Sequence, residues 1–276
     1  WLKAFFWLFG GLTIYFFVKG LAQRGWTSFW AVLAFLFGPF LPLLFPFGDS
    51  LHLIAFAFLP LIFLLYFRIL KNWLKPYVIV LIFLITLVLL IDNSVIVPLV
   101  VGMVSVFLSF GSWARMGERL KRTLGILFLA FALATFWYTP GFWLNLLAAP
   151  SFGGRGMFSI SLLLTRLLSF LLPIFLAFLT LKKLNLKKNP ALSFTFFWLF
   201  IFGFLTLMRF LSDPDFWQDW TAYGLELQMG LGMGLGLIMQ NLKIKYQNDN
   251  LKSKMFSFCI LICSFAFYIL IFAFIT

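Results

Sequence analysis

From Pro76 to Trp113 the chain runs through roughly 40 residues that are almost all apolar, broken only by Asp92-Asn93-Ser94, and about 20 such residues already cross the hydrocarbon core of a bilayer. A run of that length cannot cross once, so it predicts two spans joined by a tight hairpin. Setting apolar runs against their breakers along the whole chain gives spans at 4–18, 27–47, 51–67, 76–91, 94–114, 123–140, 160–181, 191–210, 221–240 and 256–275. The expected fold class is therefore all-α: a polytopic transmembrane helical bundle of about ten spans, built as a single transmembrane domain over residues 1–276. Composition agrees, with 63% hydrophobic and 11% charged residues, whereas soluble domains carry about 25% charged residues. No stretch remains for a globular soluble domain.

A formal charge of +13 in a soluble protein would suggest a nucleic-acid partner, so the placement of the charges decides their meaning. They lie between the apolar runs and alternate. Lys19, Arg24; Arg68, Lys71, Lys75; Arg115, Arg119, Lys121, Arg122; Lys182, Lys183, Lys187, Lys188; and Lys243, Lys245, Lys252, Lys254 fall on one side with only Glu118 and Asp249. Lys3, Arg155, Arg166 and Arg209 fall on the other with Asp49, Asp92, Asp213, Asp215, Asp219 and Glu226. Cytoplasmic loops collect Lys and Arg. The expected location is thus the plasma membrane, multi-pass, with the basic loops cytoplasmic and attracted to anionic membrane lipid, and with no nucleic acid as partner.

Local features add detail. The chain opens on Trp1 with an apolar run and no cationic leader, and ten spans put both ends outside; this reads as a fragment of a longer chain lacking its N-terminal part. Gly38-Pro39 and Pro42 predict a kink or break in span 27–47. Gly230, Gly232, Gly234 and Gly236 form overlapping small-xxx-small pairs that admit a close helix neighbour, and they lack the pattern of a nucleotide loop. Phe142 to Leu147 is apolar but too short to span, so it is expected along the interface or re-entering, ahead of the cationic Gly153-Gly154-Arg155-Gly156 turn. Cys259 and Cys263 share a helix face far from other ligands, which indicates packing and no metal or disulfide framework.

Charges at the edge of an apolar phase are costly and so mark candidate sites. Arg166 and Glu226 lie at similar depth; the plainer reading is an ion pair between them, the sharper one an anion site made by Arg155, Arg166 and Arg209, whose guanidinium forks match phosphate oxygens. Asp213, Asp215 and Asp219 crowd one outer loop beside Trp217 and Trp220. They suit a divalent cation, the one candidate cofactor, or an acceptor site shared with Glu226, or else a solvated turn capping the next helix. Asp49 and His52 complete the outer candidates; a lone interfacial histidine is more often solvated or hydrogen-bonded than catalytic.

Phe45-Pro46-Phe47-Gly48-Asp49-Ser50-Leu51-His52, leading into Phe58-Leu59-Pro60-Leu61-Ile62 and an inner Arg68, resembles the GT-C-type membrane glycosyltransferases, in particular the branch of 6-pyruvoyl-tetrahydropterin-synthase-related membrane proteins. Phe136-Trp137-Tyr138-Thr139-Pro140 is similar to the Phe-Trp-x-x-Pro that precedes their long outer loop. The resemblance implies a cell-envelope transferase that moves a sugar from a polyprenyl-phosphate carrier to an acceptor on the extracytoplasmic face, using an acidic base in the first outer loop. The chain begins after that loop should lie, so no residue here takes the base by matching, and the carrier-binding half is what the resemblance assigns to Arg155, Arg166 and Arg209. Two other classes fit the residues: a transporter or flippase of a lipid-linked or anionic substrate, with 27–47 as a discontinuous helix, and a noncatalytic membrane assembly subunit docking through the glycine face.

Overall fold

The computed structural model describes residues 1–38, 50–109, 116–148, part of 160–180, 189–211 and 220–244, with the side chains in these stretches described for most residues. Every regular element among the described residues is helical. In chain order they are α1 (Leu2–Ala22), α2 (Gly25–Leu36), α3 (Ser50–Lys71), α4 (Lys75–Ile91), a 3-10 turn (Asn93–Val95), α5 (Ile96–Ser109), α6 (Met116–Ala134), α7 (Pro140–Ala148), α8 (Pro190–Leu211) and α9 (Trp220–Ile244). The all-α class is as expected.

The breaks between helices have local causes. Asp92 interrupts the apolar run as foreseen: its Oδ1 accepts the Ser94 N–H at 2.9 Å, so α4 stops and the hairpin begins on one capping residue. Asn189 caps α8, its Oδ1 accepting the N–H groups of Ala191 and Leu192 at 3.1 and 3.3 Å, with Pro190 in the first turn where a missing N–H costs nothing. Gln23 takes the left-handed conformation, φ 55°, that closes α1 before α2. α2 ends at Leu36, just ahead of Gly38-Pro39, and the rest of span 27–47, with Pro42, lies outside the described residues. The orphan carbonyls of α2 are taken by neighbours: Trp7 Nε1 donates to Leu36 O at 3.3 Å and Gln228 Nε2 donates to Phe35 O. Without such partners a helix end inside an apolar phase is costly.

Contacts fix the helix directions. Phe9 meets Phe58 and Phe17 meets Phe63, and Thr13 Oγ1 donates to Ala57 O at 2.8 Å, so α1 and α3 run parallel. Thr86 donates to Ala130 O and Tyr138 to Leu89 O, so α4 and α6 also run parallel. Gly232 abuts Ala31 while Gly236 abuts Thr27, which makes α9 antiparallel to α2; Trp198 reaches Glu226 O and Phe202 reaches Tyr223, which makes it antiparallel to α8. The relative directions of these helix pairs are those that the alternation of basic and acidic connections requires. The termini bearing Arg68, Lys71, Lys75, Arg119 and Arg122 gather at one end of the bundle. His52, Asp92 and Glu226 lie toward the other.

The glycines explain the closest approach. A Cβ on Gly232 would stand 2.7 Å from the Ala31 carbonyl oxygen, so α2 and α9 touch backbone to backbone, the contact that the small-residue face predicts. Gly230 turns instead toward Trp198 and Leu199 of α8. The core is aromatic: Phe17, Phe63, Phe194, Trp198 and Phe202 are buried and meet edge or face. Most small hydroxyls are satisfied within their own helix, Ser105 to Val101 O, Thr195 to Ala191 O and Thr206 to Phe202 O among them.

α1 and α3 are long and apolar enough to cross a membrane; α2, α4, the turn with α5, and the first part of α8 are apolar but shorter. At about 1.5 Å per residue the 21 residues of α1 reach about 31 Å, matching a hydrocarbon core of about 30 Å. The outer surface is apolar as well as the core. Phe5, Leu8, Leu12 and Phe16 on α1, and Leu124, Phe128 and Leu133 on α6, are exposed, as suits helices with a lipid face.

Some boundaries differ from the sequence reading. α6 is already helical at Met116, inside the basic stretch, where Glu118 pairs with Arg122 one turn on. It stops at Ala134, short of Pro140, and that proline opens the nine-residue α7. α7 holds the apolar stretch judged too short to span, with Tyr138 stacked on Phe142 at 4.3 Å. Span 256–275 with both cysteines, and most of span 160–181, lie outside the described residues.

Candidate functional site

Three ionisable side chains that the sequence scatters over 174 positions meet in one place. His52 stands in the first turn of α3, Asp92 between α4 and the 3-10 turn, and Glu226 nearly two turns into α9. His52 Nδ1 lies 2.8 Å from Asp92 Oδ2 and 2.8 Å from Ser94 Oγ. Its Nε2 lies 3.1 Å from Glu226 Oε1. The Ser94 hydroxyl donates to Asp92 Oδ2, so Ser94 braces the carboxylate through both hydroxyl and backbone.

The group is shut away from solvent: His52 is 5% exposed and Glu226 0%, and the Asp92 side chain is 10% exposed. Neighbouring backbone and rings fix its geometry. Trp198 Nε1 donates to the Glu226 carbonyl at 2.6 Å, holding that turn of α9 against α8, and Tyr138 donates to Leu89 O at 2.9 Å, one turn before Asp92. Burial pushes the Asp92 carboxyl up, but hydrogen bonds from His52 and Ser94 and the nearby imidazole charge outweigh it and hold the group below its ordinary 3.8.

Proton counting gives the arrangement its chemistry. Both ring nitrogens face carboxylate oxygens, and a neutral imidazole carries only one N–H. The three groups together must therefore hold a second proton, on the imidazole or on a carboxyl. The second oxygen, Glu226 Oε2, is buried and has no hydrogen-bond partner among the described residues, and so among them an acceptor is left at the end of a carboxylate–imidazole–carboxylate line. Asp92 and Glu226 occupy opposite sides of the ring and do not converge, and no cluster among the described residues is arranged as metal ligands.

The sequence candidates divide accordingly. Glu226 and His52 come together, a pairing the sequence does not predict; His52, expected as a solvated or hydrogen-bonded residue at the interface, is buried and hydrogen-bonded on both nitrogens. Glu226 places Oε1 on His52, and the ion pair expected between Glu226 and Arg166 falls outside the described residues. Arg155, Arg166, Asp49, Asp213, Asp215 and Asp219 lie outside the described residues, as does the side chain of Arg209. Asp92 and Ser94, read only as hairpin residues, are members of the site. The signal for Asp92 was present: a carboxylate in an otherwise unbroken apolar run is an expensive residue whose position calls for a partner. No family model, curated protein or solved structure matches the chain.

Proposed function

We propose that the chain is a multi-pass membrane protein of about ten spans whose acidic end faces outward and transfers a sugar from a polyprenyl-phosphate carrier to an acceptor, with the Glu226–His52–Asp92 line handling the proton. The single observation that carries this reading is the buried line itself, since an intramembrane ionisable residue is by default a functional one. The agreement between helix directions and the charge alternation supports the outward placement. In the transfer, the acceptor hydroxyl oxygen bonds to the anomeric carbon as the bond from that carbon to the phosphate oxygen breaks, and the phosphate leaves with the electron pair. The hydroxyl proton passes toward Glu226 Oε2, and Asp92 steadies the imidazole that shares it. Arg155, Arg166 and Arg209 are assigned to the departing phosphate, where fixed positive charge lowers the barrier.

A second reading has its own support. Proton-coupled carriers also use buried acid–histidine chains, and complete burial of Glu226 favours a role that needs no contact with a bulky acceptor. Glu226→Gln and His52→Asn separate the two when assayed in membranes containing the protein with any upstream segment. Loss of sugar transfer from a polyprenyl-phosphate donor favours the transferase; retained transfer with loss of proton-driven uptake of a lipid-linked substrate favours the carrier. If neither activity changes in either variant, the line is structural and both readings fall. Tags after residues 50 and 150 reachable only from inside the cell would remove the outward site.

A further inference from the structure

At the basic end, opposite the acid–histidine line, α3 and α6 part to leave a cavity of about 400 Å³, within the ~300–1,000 Å³ range of small-ligand pockets. Part of its lining is polar and buried: the Tyr66 hydroxyl and Thr123 Oγ1 are 2.7 Å apart. Its walls carry Lys71, Arg119 and Arg122 against one carboxylate, Glu118. Arg122 pairs with Glu118 along the helix and lies 4.5 Å over the ring of Trp73, so its guanidinium is held in place while its side chain stays 37% exposed. A guanidinium has five N–H donors, and one carboxylate oxygen uses few of them.

We propose that this cavity binds the phosphate of an acidic membrane lipid, with Arg122 and Lys71 on the phosphate oxygens and Trp73 against the glycerol region. Two features select a lipid over a free phosphate. Leu74, Leu120 and Leu124, each next in sequence to a residue that lines the cavity, are exposed and apolar and offer a surface for an acyl chain. Its position at the basic end of apolar helices is the level at which headgroups lie, and basic pockets between helices on that side take anionic headgroups. Trp73, 39% exposed, has the amphipathic character of an interfacial anchor. The inference requires a membrane-embedded bundle and is independent of any sugar transfer.

The test uses the full chain purified in a neutral detergent and titrated with phosphatidylglycerol in mixed micelles, with phosphatidylcholine and inorganic phosphate as parallel arms. Phosphatidylglycerol is expected to bind saturably at about one site and to raise the melting temperature, and neither other arm to do so. Each lost cation should weaken binding about fivefold, so Arg122→Gln with Lys71→Gln together should weaken it about 25-fold. Glu118→Gln, which releases the guanidinium, should tighten it. Lys121→Gln, a cation on the same helix that does not line the cavity, should leave it unchanged. Equal binding of phosphatidylcholine, an unchanged affinity in the double variant, or an equal loss in Lys121→Gln would overturn the site. Full displacement of the lipid by inorganic phosphate would overturn the lipid as its occupant.

Discussion

Replacing His52 with leucine removes the middle of the acid–histidine line and leaves two carboxylates facing an apolar side chain of similar bulk. The magnitude follows from what is lost: contacts at 2.8 Å to Asp92, 2.8 Å to Ser94 and 3.1 Å to Glu226. Ordinary interhelical hydrogen bonds in membrane proteins average only about 0.6 kcal/mol, so three of them would cost about 2 kcal/mol. Breaking a buried ionic partnership costs more, about 3–5 kcal/mol, because a charge is left uncompensated. His52→Leu is therefore expected to lower the unfolding free energy by about 3–5 kcal/mol. His52→Leu combined with Glu226→Leu removes both members of the buried pair and leaves Asp92 still held by Ser94, so the double variant should lie within about 1 kcal/mol of the wild type. Unfolding by dodecyl sulfate in mixed micelles, followed by far-ultraviolet circular dichroism, measures both. A single variant costing under about 1 kcal/mol, or a double variant equal to the sum of its singles, would refute the ionic reading of the site.

Three further outcomes are expected. Gly232→Ala puts a methyl 2.7 Å from the Ala31 carbonyl and should destabilise by about 1–3 kcal/mol in the same assay, whereas Gly125→Ala, with nothing within 4 Å among the described residues, should not destabilise. Asp92 has a folded-state pKa below its ordinary 3.8, so its contribution is complete above that pH and is lost as the pH falls through the folded value; an acid titration of Asp92→Asn should lack that part of the wild-type loss. Trp198→Phe keeps the ring contacts to Phe63 and Phe202 but deletes the 2.6 Å bond to Glu226 O, and should cost about 1 kcal/mol and slacken the acid–histidine line, readable as a shifted pH profile of whichever activity Glu226 supports.

What the sequence discloses about this fold is depth, and what it withholds is azimuth. The alternation of lysine-rich and acidic connections assigns His52, Asp92 and Glu226 to one end, because each connection reports which way its flanking helices point. It carries no information on which helices are neighbours. That is decided by surface fit, as where Gly232 and Gly236 accept the backbone of α2 and where Gly102 accepts the ring of Phe63, and such fits involve pairs that no periodicity couples. Glu226 was conspicuous for its depth, and a carboxylate so placed needs a partner. Packing supplies His52 as one such partner, and Arg166, the partner expected by charge, lies outside the described residues. Asp92 was legible as a turn residue and illegible as a histidine partner for the same reason: its capping role is local, and its second role depends on α3 lying alongside.

The hydroxyls that bond back to their own helix have a consequence for how this bundle can change. Thr195, Thr206 and Ser105 each give their proton to a carbonyl four residues earlier, so they recruit no neighbour and hold no register between helices. Exchanging them for alanine or valine should leave the assembly intact, and related chains are free to drift at those positions. Thr13 and Thr86, which also reach carbonyls on α3 and α6, lack that freedom. Among residues of one chemical type, the direction of a single proton separates positions where the chain can wander from those where two helices must agree.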